Sequence, residues 1–208
     1  MPVPLILLPP SEGKSSGGDG LTWSKSKQSF PELETARKEV IKALKTAMKW
    51  PIEERSKLLG VGEAKTDEAT KANLSVDTGK TLQAIDRYTG VLYDALGYGA
   101  LSAKLKKRVD SQVVIFSGLW GIVRPGDCIP DYKLKMGAKL PALGKPSSFW
   151  KPLISESLAE AASGVVWDLL PKEHSAGWDP SIAGKKIRVS FLDAVSYTHL
   201  TLPTNREV

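Results

Sequence analysis

Val113-Val-Ile-Phe116 runs directly into Ser117-Gly-Leu-Trp-Gly-Ile-Val-Arg-Pro-Gly-Asp-Cys-Ile-Pro-Asp-Tyr-Lys-Leu-Lys-Met-Gly137. The first four residues are apolar and mostly β-branched, the pattern of a buried strand. The span that follows packs four glycines, two prolines, one arginine, two aspartates and two lysines together. Polar side chains on a fixed backbone, placed directly after a core strand, are a common way for folds to build binding sites.

The rest of the chain supplies partners for that strand. Residues 3–8 form a second apolar run, closed by Pro9-Pro10. With no basic n-region and no small-residue cleavage site, it reads as a first strand rather than a signal peptide. Val165-Val-Trp-Asp-Leu169 and Lys186–Leu192 read as further strands. Helical spacing recurs at Leu33, Ala36, Val40, Ala43, Leu44 and Ala47, with Ser29 as expected cap and Pro31 in the first turn. Further helices are expected over about 52–59, 61–73, 91–96, 101–109 and 148–162, and Lys80–Ile85 is ambiguous. Strands mixed with helices without strict alternation predict an α/β (mixed α+β) single domain over residues 1–193, a mixed sheet surrounded by helices.

Composition narrows the class. The 208 residues are 41% hydrophobic and 25% charged, ordinary for a globular protein. No apolar run reaches the roughly 18 residues a membrane helix needs, so no membrane partner is expected. One cysteine, Cys128, excludes an intramolecular disulfide and suits a reducing, cytoplasmic setting. Net charge is +6 and pI about 9.3. Residues 101–151 hold ten basic and three acidic side chains, so this quarter carries the whole excess. Such a bias is compatible with nucleic acid and equally with a solvated lysine-rich face.

The last residues read differently. Val195-Ser-Tyr-Thr-His-Leu-Thr-Leu-Pro-Thr204 can be encoded by GTC TCT TAT ACA CAT CTG ACG CTG CCG ACG, a common transposase-based sequencing adaptor. The natural sequence is therefore expected to end near Asp193, with 194–208 non-native read-through. Tyr197, His199 and Arg206 then carry no functional meaning, and His174 is the one natural histidine.

Three segments could carry chemistry. Pro9-Pro-Ser-Glu-Gly-Lys14 contains a Ser-x-x-Lys spacing (Ser11, Lys14), but Gly13, Gly17 and Gly18 make it a loop. An anion site built from a Gly-rich turn and Lys14 is the better functional reading. Leu58-Leu-Gly-Val-Gly-Glu-Ala-Lys65 joins two helical stretches through Gly60 and Gly62, the pattern of a helix-hairpin-helix. Its glycines allow close approach of a phosphate, and Lys65 would add charge. In the opening stretch Arg124 offers a rigid fork of donors, with Asp127 or Asp131 to orient it or to hold it in an internal salt bridge. Lys133 and Lys135 share one face of an extended run, with Tyr132 and Leu134 on the other. Tyr88, Tyr93, Trp120 and Trp150 read first as core aromatics. One histidine and one cysteine do not make a zinc or iron site, and a magnesium site from Glu12, Asp127 and Asp131 lacks any supporting pattern. No metal and no cofactor is expected.

Leu-Pro-Pro-Ser-Glu-Gly-Lys14, Tyr88-Thr-Gly-Val-Leu-Tyr93, Ser117–Pro125 and Ile129–Gly137, in that order and spacing, resemble the YaaA peroxide-stress resistance family, in its actinobacterial-type branch. The resemblance covers essentially all of 1–193. It implies a cytosolic protein that limits peroxide damage, an unusual mixed α/β fold, and DNA binding through a helix-hairpin-helix and a basic cleft. Gly60, Gly62 and Lys65 match that element. Lys14, Arg124, Lys133 and Lys135 read as nucleic-acid or anion contacts, and Ser11, Glu12, Tyr88, Asp127 and Asp131 as a candidate pocket. The family brings no assigned reaction, so the protein reads as other than a classical enzyme. It also implies a further C-terminal strand and basic segment beyond this chain. Two other readings stay open. One is an enzyme acting on a phosphate-bearing small molecule or nucleic acid, combining Ser11, Glu12 and Lys14 with Arg124 and Asp131. The other is an iron-handling protein, for which ligands are few.

Overall fold

The computed structural model describes residues 3–189. The expected boundary near Asp193 and the segment 194–208 lie outside them.

The chain opens with β1 (Leu5–Leu8) and continues through α1 (Glu34–Ala47), α2 (Ile52–Leu59) and α3 (Glu63–Leu74). After β2 (Leu82–Gln83) come α4 (Ala84–Arg87), α5 (Val91–Leu96) and α6 (Ala103–Gln112). Then follow β3 (Val113–Ser117), β4 (Gly121–Val123), β5 (Cys128–Ile129) and α7 (Pro146–Leu158), and the described part closes with β6 (Val165–Asp168), α8 (Lys172–Ser175) and β7 (Lys185–Arg188).

Five strands form one sheet in the order β4-β3-β1-β6-β7. β1 lies at its centre and pairs in parallel with β3 (Ile6 opposite Val113) and with β6 (Ile6 opposite Trp167). A central parallel strand is covered on both faces, which is why Leu5-Ile-Leu-Leu8 is continuously apolar rather than alternating. β7 extends the parallel set and β4 turns back antiparallel on β3. The mixed α/β class expected from sequence is the class observed.

The turn from β3 into β4 depends on Gly121. Its φ is +69°, and a Cβ there would lie 2.8 Å from the Trp150 ring. Trp150, on α7, is fully buried and donates Nε1–H to the Gly118 carbonyl at 3.0 Å. Trp120 is also fully buried and packs 5.2 Å from Trp23, so both tryptophans are core. The buried Arg37 fastens α1 to this corner by donating to the Trp120 and Ile122 carbonyls.

Several local expectations change. Ser29 is no helix cap: its N–H and hydroxyl both donate to Asp127 Oδ1, at 2.9 and 2.7 Å, and the helix begins with a 3-10 turn at Pro31–Leu33. The segment after β3 holds two short strands, β4 and β5. β5 pairs antiparallel with β2, which resolves the ambiguous Lys80–Ile85 into a strand and the start of α4. The helix expected to reach residue 162 ends at Leu158, and a 3-10 turn occupies Ala161–Ser163. Among the described residues no helix is long and apolar enough to cross a membrane.

Candidate functional site

The loop after β1 carries Ser11, Glu12 and Lys14 beyond the carboxyl end of the central strand. The segment after β6, its parallel neighbour, brings Glu173 and His174 to the same end. The crevice outside the carboxyl ends of strands that diverge to opposite sides of a sheet is where open α/β folds place ligands. Here a cleft of about 130 Å³ is lined by Ser11, Glu12, Lys14, Lys133, Lys135 and His174, among others. A second, of about 300 Å³, adjoins it through the shared Glu12, Lys14 and Lys133 and reaches Lys65, Glu68 and Asp131. Together they form one groove.

The loop is held down by a cation that sequence reasoning passed over. Arg87, fully buried at the end of α4, donates to the carbonyls of Ser15, Gly17, Lys80 and Ile129. Ser11 Oγ accepts the Thr89 N–H at 3.0 Å and donates to the Gly13 carbonyl. Its hydroxyl is thus part of the loop's own bonding. Lys14 pairs by an isolated bridge with Tyr88.

The far wall is the extended run 131–136. Tyr132, Leu134 and Met136 are buried while Asp131 and Lys135 are exposed and Lys133 is half-buried, so the period-2 reading holds. Asn73, fully buried on α3, fixes this run: Nδ2 donates to the Lys133 carbonyl at 2.9 Å and Oδ1 accepts the Lys133 N–H at 2.8 Å. One side-chain amide thereby does the work of a strand neighbour. Glu173 fastens the other end by accepting the Gly137 N–H.

The hairpin of α2 and α3 flanks the groove. Its turn is Gly60-Val61-Gly62, with Gly60 left-handed at φ +63° as the C-terminal cap of α2. Lys135 lies against it, and a Cβ on Gly60 would sit 2.4 Å from the Lys135 ammonium. Nothing lies within 4 Å of a Cβ built on Gly62.

Lys14 sits at the focus. Its Nζ is 4.5 Å from the Tyr132 ring centroid and donates to the Ser11 carbonyl at 3.3 Å. Among the described residues it has no carboxylate within ion-pair distance. Burial, then the neighbouring Lys133 and Arg87 charges, outweigh Asp131 and Glu12 and lower its pKa to about 8. Beneath it runs a buried hydroxyl chain from Tyr88 to Tyr132 to Ser117, with steps of 2.8 and 2.7 Å. Burial raises the Tyr88 pKa well above the usual phenol value and that of Tyr132 to about 12, so both hold their protons at neutral pH. Tyr88 therefore supports the site from below rather than lining it.

Two expected site residues lie elsewhere. Arg124 Nη1 donates to the carbonyls of Ser111 and Val113, and the side chain lines a separate cleft with Leu5 and Glu160, at the opening end of β1. Burial lowers its pKa, and Asp127 opposes that shift. Asp127 is buried and accepts the Arg124 backbone N–H through Oδ2, organising the turn between β4 and β5. The cluster expected of Lys14 with Arg124 is thus split along the length of β1, while Ser11, Glu12, Lys14 and Asp131 do converge.

Asn73, Arg87 and Glu173 were missed because each acts through backbone groups distant in sequence. The one readable trace was an arginine directly before Tyr88-Thr-Gly. Among the described residues no three His, Cys, Asp or Glu side chains gather as metal ligands would.

A family model described as peroxide stress protein YaaA matches residues 5–199. A UPF0246 protein of Streptomyces coelicolor is 39% identical over 193 residues, 91% of this chain and 74% of its own. A UPF0246 protein of Corynebacterium glutamicum is 37% identical over 166 residues, 78% of this chain and 64% of its own. A protein of Campylobacter jejuni, described as uncharacterized, is 32% identical over 156 residues, 74% of this chain and 62% of its own. The chain thus spans less than two thirds of the last two relatives.

Proposed function

The chain belongs to the peroxide stress protein YaaA family, and from that premise we propose that it protects the cell by holding the DNA phosphate backbone in the groove between the α2–α3 hairpin and the Ser11–Lys14 loop. The carrying observation is convergence: Lys14, Lys65 and Lys133 line one groove, and Lys135 lies where that groove meets the Gly60-Val61-Gly62 turn. In this reading the hairpin acts as a helix-hairpin-helix. The open approach at Gly62 admits a phosphate to the start of α3, where N–H groups and the helix dipole favour an anion. Lysines act as point charges on phosphates and carry no sequence preference, so binding is non-specific. A cytoplasmic setting follows from this role.

Salt dependence tests it. Four lysine contacts predict a slope of log affinity against log salt of about −3 to −4 on a short random-sequence duplex. Changing Lys133 and Lys135 together to Gln should flatten it by about 2. A slope near zero, or one the double variant leaves unchanged, defeats the proposal.

The enzyme alternative loses two of its parts, since Arg124 lies at the other end of β1 and the Ser11 hydroxyl is engaged in the loop.

A further inference from the structure

We infer that Lys14 is a nucleophilic amine whose cleft accepts an aldehyde or ketone carrying a phosphate or carboxylate, with which it forms an imine. The proposal goes beyond DNA binding and does not rest on it.

The geometry is that of an activated lysine. A lysine becomes nucleophilic when it is desolvated and set beside another cation, because both favour the neutral amine. Lys14 meets both conditions. It is half-buried in the cleft, Lys133 lines the same cleft, and burial with the Lys133 and Arg87 charges outweighs the opposing Asp131 and Glu12 carboxylates. It has no carboxylate ion-pair partner among the described residues that would fix it as an ammonium. A pKa of about 8 leaves roughly a tenth of the amine unprotonated at pH 7.

The cleft also suggests the substrate class. At about 130 Å³ this end of the groove has room for a small molecule. Lys14, Lys133 and Lys135 outnumber Glu12 and Glu173 in its lining, and Glu173 is engaged by the Gly137 N–H, so an anionic substituent is favoured and would aim the carbonyl at Nζ. His174 lines the same cleft, and its Nδ1 is buried without a hydrogen-bond partner. Burial lowers the His174 pKa, which leaves that ring available as a neutral base.

In the step, the Nζ lone pair attacks the carbonyl carbon, a C–N bond forms, and the C=O π pair moves to oxygen. The two amine protons and that oxygen then leave as one water, giving C=N. Nothing is oxidised or reduced.

The test uses aldehyde probes with borohydride trapping, followed by peptide mass spectrometry on the whole chain without DNA. Pyridoxal 5′-phosphate and glyoxylate carry the anion as phosphate and as carboxylate, and 5′-deoxypyridoxal lacks it while keeping a free aldehyde. The expected result is adduct on Lys14 formed at least about tenfold faster than on exposed lysines such as Lys57, since lowering the Lys14 pKa from 10.5 to about 8 enriches its neutral amine at pH 7. At least one anionic probe should outpace 5′-deoxypyridoxal, each rate taken relative to that of the same probe on exposed lysines, and the rate should rise with pH to a midpoint near 8. Lys133→Gln with Lys135→Gln should remove the anionic advantage, and Lys14→Arg should remove the adduct. Labelling of Lys14 no faster than of exposed lysines overturns the nucleophile, and equal rates for all three probes overturn the substrate class. Both results are read on the unmodified chain, so a variant that fails to fold does not obscure them.

Discussion

The two ends of β1 carry basic residues that look alike in sequence and differ in what surrounds them. At the opening end, Arg124 follows a strand, precedes a proline and has an aspartate three residues on. At the carboxyl end, Lys14 follows a strand, stands among glycines and has a glutamate two residues before it. Arg124 Nη1 is engaged by two backbone carbonyls and its N–H by Asp127, and its ring-side neighbour is Phe30. Lys14 has one long bond to a carbonyl and an aromatic face. Two backbone carbonyls engage the first cation, whereas the second makes one bond among the described residues. Residue type and local spacing do not separate these cases. The acceptors that decide it come from residues 11 to 13 positions away for Arg124 and, for three of the four acceptors of Arg87, from 42 to 72 away.

The strongest test of that contrast is Arg87, the most completely consumed cation. Arg87→Met leaves four carbonyls without their donor and releases the loop that presents Lys14. The expected cost is about 3 kcal/mol or more in urea unfolding, since each buried acceptor left unpaired costs about 1–3 kcal/mol. DNA affinity should fall with it. A variant of unchanged stability would show that the loop is held by other contacts.

Lys14→Met should do the opposite to stability. Folding lowers the Lys14 pKa from 10.5 to about 8, so between these values the unfolded chain binds more protons than the folded one. Stability from this group therefore rises with pH through that window, and below pH 8 the buried ammonium is a standing cost. Removing it should stabilise the protein by about 1–3 kcal/mol at pH 7, with the gain fading as pH rises towards 10. DNA affinity should fall at the same time, the pattern of a group kept for function at the expense of stability. Loss of stability on this substitution would place Lys14 in the same class as Arg87. Arg124→Met is the smaller counterpart, expected to cost about 1–2 kcal/mol and leave the groove's affinity unchanged.

How much could be read in advance follows the same division. The three core strands β1, β3 and β6 and the long helices were legible, because their signal is hydrophobic periodicity within a few residues. So was the alternation of 132–136, and with it the placing of Lys133 and Lys135. β4, β5 and the fate of Ser29 were not, since short strands and side-chain caps are decided by partners far along the chain. For Ser29 the competitor was Asp127, almost a hundred residues on, whose carboxylate takes both of its donors. Arg124 and Asp127 do meet, but through the Arg124 backbone N–H rather than the guanidinium, which the Ser111 and Val113 carbonyls hold.

The hairpin glycines sharpen the comparison at its finest grain, because they differ as the two cations do. Gly60 is structurally committed: φ is +63° and the Lys135 side chain lies where a Cβ would go. Gly62 has φ −67° and open space around it. Gly60→Ala should therefore cost about 1 kcal/mol from the left-handed backbone alone, and should displace Lys135. Gly62→Ala has neither penalty and should cost about 0.5 kcal/mol, the difference between alanine and glycine at an N-cap. If a phosphate approaches the start of α3, the open position is the one it needs. Gly62→Ala, and Gly62→Val more strongly, should then weaken DNA binding while thermal unfolding stays nearly constant. Binding that falls only in step with stability, and only at Gly60, would mean that the turn shapes the groove without touching its ligand.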